Sequence, residues 1–317
     1  MTTNNLVSII IPTHNRAELL KRAIESALNQ TYSKHEIIVI DDGSTDNTKE
    51  IVDSFKNMRI KYLKNESSLG GAGTRNVGIK HSSGEFIAFL DDDDIWYNNK
   101  LELQIKKIRE SEEAVLCTCG LRVLYSKSKL KYFNFPKLKD VDFNSMLFNN
   151  RVGITSTALV KKAAIDEVGP FDISLPAREE YELWIRLSKI GKLVSVNKPL
   201  LDYYIHEDQK QISANINKFI KANKLIQQKY SADYKQFSSK KISQLRADNL
   251  FQYSTIAINN RNNLKALKYI TKSIFADLKL NKLILFIVYL MGFRAYIQLK
   301  KIYGLKLKKG YSVNDKF

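Results

Sequence analysis

Four aspartates in a row, Asp91-Asp92-Asp93-Asp94, come directly after the apolar run Phe86-Ile-Ala-Phe-Leu90. Adjacent carboxylates repel one another, so a buried run must stay partly protonated or hold a cation. Mg2+ and Mn2+ are hard ions that take oxygen ligands, typically one or two carboxylates together with phosphate oxygens. In a loop at a strand end, Asp91 and Asp93 can face one side, an arrangement suited to an ion shared with a diphosphate. The competing reading is a solvated acidic turn or helix cap. The strand-like run immediately before it favours the cation.

Other residues of chemical interest are scattered along the chain. In Asp41-Asp42-Gly43-Ser44 a carboxylate could accept from a base imide or a ribose hydroxyl. Alone, the tetrapeptide reads first as a turn. Gly70-Gly-Ala-Gly-Thr-Arg75 could bring backbone N–H groups and a guanidinium to phosphate. It is neither a Walker loop nor the dinucleotide fingerprint. Glu179-Glu180-Tyr-Glu182 could supply a general base, although helical glutamates are mostly solvated. Trp184 reads as core, and His206 as a single boundary histidine. Cys117 and Cys119, two apart, read as buried thiols on one strand face, not a disulfide framework or a zinc site.

These residues need elements to position them. Val7 to Pro12, Glu36 to Ile40, Arg59 to Leu63 and Glu85 to Leu90 read as strands. They alternate with helices over about Arg16–Asn29 (capped by Asn15), Asn47–Lys56 and Thr74–His81. Strands joined by single helices imply a parallel sheet with its site at the carboxyl ends. Thr13-His14, Asp41-Asp42 and Asp91 to Asp94 all fall at such ends. Next come a helix to about Glu113, a strand Ala114–Tyr125, a loop-rich stretch to Asn150, a strand near Ile154–Val160 and a helix Glu179–Ile190. Beyond about Asn215 the pattern is helical, including Leu245–Ile258, Leu264–Leu278 and Lys282–Tyr303.

Of the 317 residues, 51 are Lys or Arg and 33 Asp or Glu, a net charge of +18. Residues 1–205 hold 29 bases against 27 acids, and residues 206–317 hold 22 against 6. This asymmetry divides the chain into two parts, 1–210 and 211–317. The start of the chain shows no signal-peptide pattern. The most apolar stretch, Leu283 to Phe293, has 11 residues, whereas a spanning helix needs about 20. The expected location is therefore cytoplasmic, with attachment to the inner face of the cell membrane left open.

As an ordered series these segments resemble the family 2 glycosyltransferases. The matching residues are Val7-Ser-Ile-Ile-Ile-Pro-Thr-His-Asn-Arg16, Ser26-Ala-Leu-Asn-Gln-Thr-Tyr32, Glu36-Ile-Ile-Val-Ile-Asp-Asp-Gly-Ser-Thr-Asp46 and Gly73-Thr-Arg-Asn-Val-Gly-Ile79. Gly84-Glu-Phe-Ile-Ala-Phe-Leu-Asp-Asp-Asp-Asp94 and Glu179-Glu-Tyr-Glu-Leu-Trp184 complete the set. The resemblance spans about residues 6–206 and leaves the basic third uncovered. It implies an α/β GT-A (nucleotide-diphospho-sugar transferase) fold with a mainly parallel central sheet, plus a C-terminal α-helical extension. It implies inverting transfer from a nucleotide sugar, a UDP-sugar first, to a glycan or polyprenyl-diphosphate-linked acceptor, with Mn2+ or Mg2+. Pro12, Thr13, His14 and Asp42 would then hold the base, with Arg75 near the pyrophosphate. Asp91 and Asp93 match the Asp-x-Asp motif that binds ribose and metal. Asp92 lies between them at the donor, and Asp92 and Asp94 fit a supporting or capping part. Glu180 falls where the family has its catalytic aspartate. This chain has Glu-Glu in place of Glu-Asp, so Glu179 and Glu180 both stay open as the base. His206 resembles a late histidine that reaches the metal.

Two other functions compete. A sugar-phosphate nucleotidyltransferase would want a glycine-rich basic loop after the first strand, and Pro12-Thr-His-Asn-Arg16 lacks it. A nucleic-acid-binding protein would need bases interleaved with stacking aromatics, and the acidic rim opposes that partner. The basic third fits either an interfacial helix on an anionic leaflet, flanked by Lys300, Lys301, Lys306, Lys308 and Lys309, or a packed helical subdomain with a solvated face.

Overall fold

The structure, a computed structural model, describes residues 5–126, 128–136, 138, 141–205 and 215–308, with side chains as far as residue 300. The first half is wound as its sequence pattern dictates. Strands β1 (Val7–Thr13), β2 (His35–Asp41), β3 (Ile60–Lys64) and β4 (Phe86–Phe89) alternate with helices α1 (Ala17–Leu28), α2 (Thr48–Ser54) and α3 (Gly70–Lys80). β1 pairs in parallel with β2 and β4, and β2 with β3. Ile9, Ile10, Ile37, Ile38, Ile87 and Phe89 are fully buried, as continuous apolar strands covered on both faces must be. α3 lies so close to β1 that a Cβ on Gly78 would sit 2.5 Å from Ile10 Cγ2.

α1 starts differently from the expected Asn15 cap. Asn15 takes a left-handed φ of 53°, and its Oδ1 accepts from Thr45 N at 2.8 Å. The free N–H of Ala17 donates instead to Asp46 Oδ2 at 3.1 Å. The loop after β2 therefore caps the helix after β1, which a purely local reading cannot see.

The second half completes a nine-stranded sheet in the order β3-β2-β1-β4-β8-β6-β9-β5, with β7 paired to β6. It comprises β5 (Ile95–Trp96), α4 (Lys100–Arg109), β6 (Ala114–Tyr125), β7 (Lys131–Asn134), α5 (Phe143–Met146), β8 (Leu159–Lys161), α6 (Lys162–Val168), α7 (Glu179–Ile190) and β9 (Lys192–Ile205). β9 runs parallel to β6, while β8, β5 and β7 are antiparallel to their neighbours. The sequence pattern does not announce β9. Its Pro199 sits where the β6–β9 register shifts, the kind of bulge to which a strand proline is confined. Cys117 and Cys119 are buried on β6 as expected, and burial pushes their thiols up to about 12 and about 11.

The last third is helical: α8 (Ile216–Lys229), α9 (Ser231–Tyr234), α10 (Ser239–Asn259), α11 (Asn263–Ala276), α12 (Leu280–Leu290) and α13 (Phe293–Lys308). The single helix expected over Lys282–Tyr303 is two, broken at Gly292, whose φ is +86°. Of the expected bases, Lys301, Lys306, Lys308 and Lys309 lie outside the residues whose side chains are described, and Lys300 is not a solvated flank. Its Nζ donates to Tyr125 Oη at 2.9 Å and lies over the rings of Tyr296 and Tyr132, and burial lowers it to about 8. Ala257, Ile258, Ile270, Tyr289 and Tyr296 share one core with the sheet residues Val7, Ile9 and Phe86.

Candidate active site

The carboxyl ends of β1, β2 and β4 meet at one rim. Thr13 Oγ1, at the end of β1, donates to Asp92 Oδ2 at 2.8 Å. Arg16 Nη1 reaches Asp92 Oδ1 at 3.1 Å and Asp93 Oδ2 at 3.0 Å. Burial raises the Asp92 carboxyl to about 6, with repulsion from Asp93 adding to it and Arg16 opposing.

Asp91 is held from three sides. Its N–H donates to Ser156 Oγ at 3.0 Å, its Oδ2 accepts from Thr155 Oγ1 at 3.0 Å, and its Oδ1 accepts from Arg75 Nη2 at 2.5 Å. Asp94 is 1% exposed, and among the described residues neither of its oxygens has a hydrogen-bond partner in good geometry, Ser156 Oγ and the Tyr204 N–H being the polar groups that face it. Burial, then the charges of Asp91 and Asp93, hold its carboxyl well above the usual range. The half-buried Tyr203 of β9 lies near these aspartates: burial, then the charges of Asp94, Asp93 and Asp91, raise its phenol.

Arg75 joins this acidic run to α7. Its Nη1 lies 3.6 Å from Glu179 Oε1, and its guanidinium carbon stands 5.9 Å from the centre of the Phe171 ring. Phe171 is itself pinned to α3, because Asn76 exchanges two 2.9 Å hydrogen bonds with its backbone. Glu180, the next residue, is half-buried. Burial and the adjacent Glu179 raise its carboxyl to about 7, against the pull of Arg178 and Arg75. Arg178, just before α7, holds a left-handed φ of 62°, and its guanidinium lies 4.2 Å from the Tyr181 ring centre and bonds Asn223. A non-glycine residue in that region is strained, here at the entry to the two glutamates.

The Asp42 side of the rim is occupied by the protein itself. Asp42 accepts from Asn65 Nδ2 (2.8 Å), Ser68 Oγ (2.6 Å), Leu69 N (2.8 Å) and Gly70 N (3.0 Å). Burial opposes ionisation there, but these donors win and lower the carboxyl to about 2. One N–H of the glycine-rich segment, that of Gly70, thus serves Asp42, beside that of Leu69 just before it. The exposed ring of His14 donates from Nδ1 to Asp42 O at 2.9 Å, and Pro12 lies one residue below Thr13, in register with Ile40.

The rim therefore brings together Thr13, His14, Asp42, Arg75, Asp91, Asp92, Asp93, Glu179 and Glu180, whereas His206 lies outside the described residues. Sequence reasoning missed Arg16, Thr155, Ser156 and Arg178. Arg16 stands inside a matching segment and could have been noticed as a cation. Nothing local marks the other three.

Such a rim on a wound sheet defines a nucleotide-dependent transferase of the GT-A type. The glycosyl transferase family 2 model matches residues 8–169. The chain belongs to that family and is a glycosyltransferase. It is 35% identical over 216 residues to the UDP-Glc:alpha-D-GlcNAc-diphosphoundecaprenol beta-1,3-glucosyltransferase WfgD of Escherichia coli, covering 68% of this chain and 83% of that one. A second Escherichia coli enzyme of the same description, WfaP, is 34% identical over 212 residues, covering 66% and 80%. S. aureus TarS 1–349 in complex with UDP-GlcNAc shares the fold, with a TM-score of 0.63 at 19% identity over 97% of this chain and 93% of that one. So does the mannosyltransferase PcManGT of Pyrobaculum calidifontis in complex with GDP-Man and Mn2+, with a TM-score of 0.57 at 15% identity over 94% and 87%.

Proposed function

We propose that the chain moves a hexosyl or N-acetylhexosaminyl group from a nucleoside-diphosphate sugar to a hydroxyl of a lipid-linked glycan, in the synthesis of a bacterial surface polysaccharide. The observation that carries this reading is the chain of contacts Asp91–Arg75–Glu179, which joins the acidic strand end to the helix bearing Glu180. One guanidinium lies between a donor-diphosphate side and an acceptor side. The two Escherichia coli relatives, named for UDP-glucose and a diphosphoundecaprenol acceptor, support a UDP-sugar and a polyprenyl-diphosphate glycan.

In this reading Pro12, Thr13 and His14 line the base pocket, and Asp42 fixes its walls through the 65–70 loop and His14. Asp91 and Asp92 lie at the ribose and diphosphate. Glu180, with a carboxyl near neutrality, accepts the proton of the acceptor hydroxyl, and Glu179 keeps Arg75 in place. The hydroxyl oxygen bonds to the anomeric carbon as the bond to the nucleoside diphosphate breaks. A single displacement from the opposite face inverts that centre, by the logic that holds for inverting glycosidases. Arg75 meets the negative charge that develops on the leaving group.

A hard divalent cation fits the residues present. Asp93 and Asp91 offer carboxylates on side chains that are 15% and 27% exposed, and behind them lies the buried carboxylate of Asp94, without a well-formed hydrogen bond among the described residues. Among the described residues no three of His, Cys, Asp and Glu form a metal-ligand group; Mg2+ sites of the kind proposed use one or two carboxylates together with phosphate oxygens. Asp93 and Asp91 would hold it, with His206 the further candidate from the sequence. When bound, the ion offsets charge on the diphosphate.

Residues 1–210 would carry the chemistry, and 211–317 the contact with the acceptor or the membrane surface, on the cytoplasmic side. Among the described residues no helix is long and apolar enough to cross a membrane. The test is a panel of nucleotide sugars, scored for binding and hydrolysis with Mn2+ and with chelator. Turnover of one donor, lost with chelator, is expected; no binding and no turnover of any donor would overturn the reading.

A further inference from the structure

α12 exposes an apolar stripe at helical spacing, Leu280, Leu283, Ile284, Ile287 and Leu290, continued by its capping residue Met291. Ile287 is 59% exposed, Leu290 61% and Met291 71%, while Lys282 and Tyr289 on the opposite face are buried. The stripe continues backwards into Leu278, 70% exposed, and Phe275 at the end of α11, 87% exposed. Scattered apolar residues on a surface need no explanation, but a contiguous row of this length marks a partner.

The charge around the row says which kind. Lys265, Lys268 and Lys272 on α11 and Arg294 on α13 are exposed. Asp277 is the sole acid between residues 263 and 294, and it is already tied to Lys279 at 2.7 Å and Lys282 at 3.2 Å. The partner is therefore apolar and anionic together. A second copy of this face would set like charges against each other. α12 has 11 residues, about half of what spanning requires, so it can lie in an interface but not cross it.

We infer that the face formed by α12 and the end of α11 docks flat on an anionic lipid surface, with Ile287 and Leu290 entering the acyl boundary and Lys268 and Lys272 meeting the headgroups. α12 leads through Gly292 into α13, which packs on β7 beside Tyr125, the last residue of β6. The lipid surface is thereby linked through the body to the strand ends, where an acceptor on a lipid carrier must arrive.

The test uses the full chain and flotation with vesicles of phosphatidylglycerol and phosphatidylcholine, against phosphatidylcholine alone. The full chain is expected to float with the anionic vesicles, less so at high salt. The pair Ile287→Asp and Leu290→Asp, and separately Lys268→Glu with Lys272→Glu, should each lower binding about tenfold or more. Donor hydrolysis should stay unchanged in both, which reports an intact fold. Absence of flotation, variants that float like the parent, or a dimer that these variants split without changing flotation would overturn the inference. Donor hydrolysis needs no membrane, so failure here leaves the transfer reading standing, and the reverse also holds.

Discussion

At Glu180 two requirements on one carboxyl pull apart. A general base must be ionised at the working pH yet basic enough to take a proton, so a carboxyl near 7 is close to the optimum. Burial and Glu179 supply that shift. Transfer should therefore rise with pH through about 7, and Glu180→Gln should remove both the rise and about 10²–10⁴-fold of kcat, leaving the donor KM in place. Steady-state rates across pH check this, and full activity in the variant would take Glu180 out of the role. The sign for stability is opposite. A carboxyl whose folded pKa lies above its unfolded value favours folding below the unfolded value and loses that contribution as pH rises through the folded one. Glu180→Gln should consequently melt higher than the parent at pH 8, read by thermal denaturation. Asp42 is the converse case. Its carboxyl is lowered to about 2, so its contribution is present above the ordinary aspartate value and lost as pH falls towards 2. Asp42→Asn turns one acceptor into a donor facing Asn65, Ser68, Leu69 or Gly70, and should cost about 2–4 kcal/mol in urea unfolding at neutral pH, a cost that shrinks in acid.

Among the elements, α7 depends on α8, which comes later in the chain. Glu182, on the helix of the two site glutamates, is fully buried. It accepts from Arg186 Nε at 2.9 Å and Tyr230 Oη at 2.8 Å, and pairs with Lys229 at 2.8 Å. α8 is thereby locked onto α7, and Arg178 adds a second tie through Asn223. Glu182→Ala removes the buried acceptor shared by Arg186, Tyr230 and Lys229, while Arg186 keeps its bonds to the carbonyls of Val168, Gly169 and Pro170 and Lys229 its pair with Asp172; it should destabilise by about 1–3 kcal/mol, read as a lower Tm. The helical spacing of Tyr181, Leu183, Trp184 and Leu187 is legible in the sequence, and the helix falls where that spacing puts it. The strand-end positions of Thr13, Asp42 and Asp91 are legible for the same reason, since apolar runs and their breaks are local. β9 is not, because its pairing with β6 lies some eighty residues back in the chain and Pro199 interrupts its pattern. Arg178 and Thr155 are also invisible: what makes them matter is a backbone angle and a contact 64 positions away. Asn15 fails as the cap because the competing acceptor, Asp46, comes from another strand's loop. Gly292 is readable as a helix stop, and Gly292→Ala should cost about 1–2 kcal/mol, the penalty for a side chain in the left-handed region.

For the whole molecule, composition divides the chain sharply, with most of the excess positive charge in the last third, while packing does not divide it in the same way. Ile226 and Tyr230 of the α8 region share a core with Ile10, Ile38 and Trp184. On the other face of the sheet, Ala257, Ile270, Tyr289 and Tyr296 share one with Ile9 and Phe86. The polar ties run the same way, from Lys229 to Glu182 and from Lys300 to Tyr125. A basic extension that acted as a detachable anchor would be charged all round and could be cut away without harm. These helices turn one face to the sheet cores, so their removal would expose the apolar surfaces they cover. A chain ending near residue 210 should accordingly aggregate or unfold at far lower urea than the full chain, and the full chain should melt in a single cooperative transition. Differential scanning calorimetry decides it. Two resolved transitions, one retained by the shortened chain, would show that the basic third folds apart, and α7 with its glutamates would then have to be held without α8.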